Sequence, residues 1–145
     1  MPHDNADWHS GGDYPDDLPA ENAGTHIGMF LAWAIANDLH GEYLRQEAAD
    51  AIAELQARNI TGRDLLFEVC DGQLAEECLN DEGNAFADKH YDKYFGDYAE
   101  AQPDDLPSAY HFEDTWENYD LVAPSLDRRY EKWSRKAGKR FRKGG

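Results

Sequence analysis

The sequence predicts an all-α fold, a single compact domain of about five helices with an irregular N-terminal arm. Three observations carry that reading. Apolar residues recur at helical spacing in several separate stretches. No stretch alternates with period two over five or more β-formers. The 145 residues include four Trp, eight Tyr and six Phe, enough bulk for one core. The organisation that follows is an arm over 1–24, a helical domain over 25–134 and a basic, partly disordered tail over 135–145.

The arm is rich in Gly, Pro, Asp and Asn, with Trp8 and Tyr14 as its large anchors. Thr25 reads as an N-cap. From it Ile27, Phe30, Leu31, Ala34, Ile35 and Leu39 follow the i, i+3, i+4, i+7 pattern, and Gly41 ends the helix. Met29, Ala32, Trp33 and Ala36 make the opposite side apolar too, which places this helix in the middle of the domain. A second helix is predicted from about residue 42 to 58, with Leu44, Ala48, Ala51, Ile52 and Leu55 inward. Thr61 and Asp64 resemble a capping box that opens a short third helix through Leu65, Leu66 and Val69. Asp71-Gly72 marks the turn after it.

A fourth helix is predicted over about 82–101, carrying Phe86, His90, Tyr91, Tyr94, Phe95 and Tyr98. A short segment near 114–119 follows. Pro124 suits the first turn of the last helix, where Leu126, Tyr130, Trp133 and Ala137 stack. The word Pro-Asp-Asp-Leu-Pro occurs at both 15–19 and 103–107, but the flanks share nothing, so it reads as one turn chemistry used twice.

Charge is the most informative global feature. Residues 1–127 hold five Lys or Arg against 29 carboxylates, and residues 128–145 hold nine against Glu131 alone. A field of that size steers encounter and selects a partner's sign. It repels nucleic acid and anionic membrane and favours cationic protein surfaces, so we expect neither nucleic acid nor membrane as a partner. The first residues lack a basic stretch followed by an apolar one, no run is long enough to span a membrane, and a cytoplasmic location with reduced thiols is expected. Cys70 and Cys78 read as two small buried apolar side chains.

Chemistry-bearing motifs are sparse. Helical metal ligands need i, i+3 or i+4 spacing, and no His pair has it. Glu76, Glu77, Asp81 and Glu82 form an acidic run without the pattern of a calcium loop. No nucleophile elbow or phosphate-cradling glycine loop occurs. His26, at a positive helix end, suits a structural hydrogen bond. We therefore expect no catalytic residue, no cofactor and no metal; a carboxylate-metal hydrolase built on Glu76, Glu77, Asp81 or His90 is the enzymatic rival. The segment Asp114, Trp116, Glu117, Tyr119 and Asp120 mixes aromatic anchors with carboxylates, the composition of a binding surface for an Arg-rich partner. Its bland alternative is a loop whose Trp116 and Tyr119 close the core. Glu76, Glu77, Asp81 and Glu82 extend that surface if the fold brings the two segments together.

Several words resemble a family of small uncharacterised bacterial proteins known only as a domain of unknown function. They are Trp8-His9-x-Gly11-Gly12-Asp13, the run from Thr25 to Trp33, Cys70-Asp71-Gly72, the run from Leu79 to Ala87, and the run from Asp114 to Tyr119. The resemblance brings no catalytic residues. In size and acidity the chain is similar to immunity proteins that neutralise toxins delivered between bacteria. The expected partner is thus a cognate protein toxin with a basic active-site cleft; an adaptor or regulatory domain without a toxin is the alternative.

Overall fold

The computed structural model describes the backbone of residues 2–142 and the side chains of residues 2–136. Its helices are α1 (Ala6–Ser10), α2 (Thr25–Ala36), α3 (Glu42–Glu47), α4 (Ala49–Gln56), α5 (Gly62–Val69), α6 (Asp81–Glu100) and α7 (Trp116–Arg142). Five of these have eight residues or more. The only strands among the described residues are β1 (Asp4–Asn5) and β2 (Gln73–Leu74), paired antiparallel with Asp4 opposite Leu74. The fold is mostly helical, as the periodicity predicts.

Helix α2 is the axle. Every residue from Thr25 to Ile35 is buried, including Phe30, Leu31, Trp33 and Ile35. Its backbone touches that of α5, because a Cβ on Gly62 would sit 1.9 Å from the Gly28 carbonyl oxygen, and one on Gly28 2.3 Å from the Arg63 nitrogen. Only glycine permits that approach. Thr61 caps α5 as the sequence predicts, accepting from the Asp64 amide at 3.2 Å while Asp64 accepts from the Thr61 amide at 3.1 Å.

Long α6 and α7 complete the core by aromatic contact. The Phe86 ring meets Trp33, Tyr130 and Trp133 at centroid distances of 5.3, 5.4 and 5.5 Å. Trp33 Nε1 donates to Asp127 at 2.8 Å, which satisfies the one polar atom of this buried ring. Arg129 forks onto Asp97 of α6.

Several local expectations are corrected. Thr25 is the first residue of α2, with Gly24 in the cap position. The helix stops at Ala36 because Asp38 turns left-handed (φ 58°), and Gly41 instead precedes α3. The predicted 42–58 helix breaks at Ala48 (φ −131°), giving α3 and α4. The separate 114–119 segment is the start of α7, so Pro124 lies inside that helix. The arm is partly regular, with β1, α1 and a 3-10 turn over Ala20–Gly24. Trp8 does not anchor it, being 52% exposed; Tyr14 packs against the core and donates to the Pro19 carbonyl at 2.7 Å. Of the basic tail, backbone helix extends to Arg142, and residues 143–145 lie outside the described residues.

Candidate functional site

The chain from Asp38 to Gly41 zips onto the segment before α6. Asn80 N–H donates to the Leu39 carbonyl at 2.8 Å, Gly41 N–H to the Cys78 carbonyl at 3.0 Å, and Asn80 Nδ2 to the Asp38 carbonyl at 2.9 Å. Gly41 lies so close that a Cβ there would be 2.6 Å from the Glu77 carbonyl oxygen. This zipper sets the start of α3 beside the start of α6. Between them is an open cleft of about 450 Å³, rimmed by Glu42, Tyr43, Arg45, Glu77 and Asp81. Glu42, Glu77 and Asp81 are exposed, and Tyr43 is a large aromatic left 44% exposed. An open cleft lined by three carboxylates and an exposed ring suits a cationic, aromatic-compatible surface.

The Asp114–Asp120 segment is arranged differently. Asp114 accepts from Thr61 Oγ1 at 2.6 Å and pairs with Arg63 at 3.3 Å; burial pushes its carboxyl above the ordinary range, against those two contacts. Trp116 Nε1 donates to the Ile60 carbonyl at 3.2 Å, and its ring meets buried Tyr119 edge-on at 5.0 Å. Arg58 stands 4.5 Å over the Trp116 ring and forks onto Asp120 at 2.9 and 3.1 Å. Hydrogen bonding to Arg58 holds the Asp120 carboxyl below its usual range. This segment closes the core, and Glu117 and Asp120 are its exposed carboxylates.

The two acidic segments are kept apart. Glu82 accepts from Tyr130, which lies ten residues beyond Asp120 on α7, about 15 Å of helix axis. Glu77 and Asp81 face the cleft, with Glu76 on the turn beside them. The opposite sign gathers further along α7, where Ser125, Arg128, Lys132 and Arg135 line a cleft of about 330 Å³ and Arg135 pairs with Glu131 at 2.8 Å.

A second constellation lies under the arm. The Asp4 carboxylate receives His9 Nε2 at 2.9 Å and Asn5 N–H at 2.8 Å on Oδ1, and His26 Nε2 at 3.1 Å and Tyr91 Oη at 2.7 Å on Oδ2. His9 Nδ1 lies 2.7 Å from Tyr110 Oη. Burial disfavours the charge on Asp4, but hydrogen bonds from His26, His9 and Tyr91 outweigh it and hold the carboxyl well below its usual range. Burial lowers the His26 pKa more than Asp4 raises it, so its imidazole is neutral at pH 7 and Nε2–H donates. His26 Nδ1 is buried with no partner among the described residues. The sequence predicts a hydrogen-bonded His26 but neither Asp4 nor His9, because the members of the cluster come from positions 4, 9, 26, 91 and 110 and share no spacing. The helix predicted from about residue 42 begins there as α3, yet nothing local places its start against Glu77.

This small helical domain, with an acidic cleft on one side and a His–Asp cluster under its arm, belongs to the family described as a domain of unknown function, DUF7832. The family model matches residues 3–112. That span contains the cleft and the cluster and stops short of α7. No curated protein and no solved structure matches the chain. Among the described residues, no helix is long and apolar enough to cross a membrane.

Proposed function

We propose that the protein is an immunity-type inhibitor that binds and neutralises a cationic bacterial toxin. The observation that carries this reading is the cleft between α3 and α6, which Glu42, Glu77 and Asp81 line together with the exposed Tyr43 and one cation, Arg45. Toxins that act on nucleic acids or nucleotides hold basic clefts, and a polyanionic surface competes for them. The acidity of residues 1–127 supplies long-range steering, and Tyr43 supplies area that desolvates on contact. Docking is assigned to Glu77 and Asp81 with Glu42 and Tyr43, because Asp114, Trp116 and Tyr119 already have interior partners.

The test uses as its probe the product of an adjacent reading frame that encodes a basic protein. Charge reversal at both Glu77 and Asp81 is expected to slow its association at least tenfold at low salt and to flatten the salt dependence, without lowering the melting temperature. Association unchanged by that double reversal would overturn the placement, and no association by the unaltered protein would overturn the function.

A further inference from the structure

We propose that Asp4, His9 and His26 form a binding site for a divalent transition-metal cation, zinc by ligand type, that fastens the N-terminal arm to α2. One ligand atom from each of the three lies within 4.8 Å of the others. Two imidazoles and a carboxylate are a donor set that suits zinc and its neighbours in the first transition row. Donors about 2.1 Å from one ion are roughly 3.0–3.4 Å apart at angles from 90° to tetrahedral. His9 Nε2 lies 2.9 Å from Asp4 Oδ1 and His26 Nε2 lies 3.1 Å from Asp4 Oδ2, so each imidazole is already near that separation from one oxygen of the carboxylate. Closure requires mainly that His9 approach His26. His9 sits on the five-residue α1, and its side chain is 22% exposed, so it has room to move and an open edge through which the ion enters.

The surrounding contacts match what metal-bound imidazoles need. With an ion on Nε2, the ring proton resides on Nδ1, and that of His9 has Tyr110 Oη 2.7 Å away as its acceptor. Tyr91 and the Asn5 amide orient the carboxylate. The Nδ1 of His26 is buried without a hydrogen-bond partner among the described residues and so is open to a proton, within a ring packed among Phe95 at 4.9 Å and Tyr98 at 5.7 Å. No net proton leaves the neutral His26 imidazole, because its proton moves from Nε2 to Nδ1. The acidic body attracts cations toward the site. This inference stands apart from toxin binding, since the cluster and the acidic cleft involve different residues.

The test is cobalt(II) titration of chelator-treated, untagged full-length protein, with zinc as the competing ion. We expect one equivalent to bind with visible d–d absorption, zinc to displace it, and the melting temperature to rise. His9→Gln should weaken binding at least tenfold while keeping the wild-type circular dichroism spectrum, and Tyr110→Phe should weaken it about tenfold. His90→Gln, away from the cluster, should bind as the wild type does. Paramagnetic shifts of the His9 and His26 ring protons in the unaltered protein locate the ion even if a variant misfolds. Absence of stoichiometric uptake, uptake unchanged in His9→Gln, or shifts confined to other histidines would overturn the proposal.

Discussion

The guanidinium of Arg58 lies 4.5 Å above the ring of Trp116, and the same group forks onto Asp120. Arg58 itself has a left-handed backbone (φ 62°), so a strained turn between α4 and α5 presents its side chain to α7. An exposed ion pair alone contributes little, but stacking and a two-pronged contact to one cation add to it. Trp116→Ala should therefore act on the fold first, destabilising it by about 3 kcal/mol in urea titration, the lower end for losing a large ring. A melting curve unchanged by that substitution would show that the ring is not part of the core.

The crossing of α2 and α5 depends on having no side chain at Gly62. Gly62→Ala places a methyl group inside the radius of the Gly28 carbonyl oxygen and should cost about 1–3 kcal/mol despite alanine's better helix propensity. Gly96→Ala, where nothing lies within 4 Å, is the control and should be neutral or mildly stabilising. Equal effects at the two positions would contradict the close packing described for α2 and α5.

Acid should weaken the fold well above the carboxylate range. Burial lowers the pKa of His40, His26 and His90 below the ordinary histidine value. In each case the unfolded chain binds more protons between the two values, so stability is full above about pH 6.5 and falls as pH drops through that window. His40→Gln should reduce the slope of stability between pH 6.5 and 5 in urea titrations. An unchanged slope would mean that His40 does not carry the coupling.

Thiol chemistry follows from the fold as well. Cys70 and Cys78 are free and buried, with sulfurs 3.3 Å apart. Their reaction with an alkylating reagent should be slow in the native protein and rise at least a hundredfold in denaturant, read by mass spectrometry. Fast native labelling would show that the turn between α5 and β2 opens readily.

How much of this was legible in sequence depends on the range of each interaction. The α2 core and the Thr61–Asp64 cap are local, and apolar spacing or a three-residue offset reveals them. The break at Ala48 is not marked locally, because alanine is the best helix former and the inward residues of α3 and α4 share one helical phase. The acidic cleft needed the zipper between Leu39 and Asn80, a tertiary pairing with no short-range signature. The same holds for Asp4, whose partners lie up to 87 positions away. Trp116 and Tyr119 had the composition of a docking site, but composition does not record that Ile60 and Arg58 face them.

The basic end of the chain should be dispensable for recognition, because a cationic segment repels a cationic partner. Removing residues 135–145 is expected to leave association with a basic protein from an adjacent reading frame within about twofold. Loss of binding on truncation would make the tail the recognition element instead.

Neutralisation of a toxin is read directly from growth. Cells arrested by the product of an adjacent reading frame that encodes a basic protein should resume growth when this chain is co-produced, and stop again when the co-produced chain carries Glu77→Lys and Asp81→Lys. Growth that is the same with and without this chain would contradict the account.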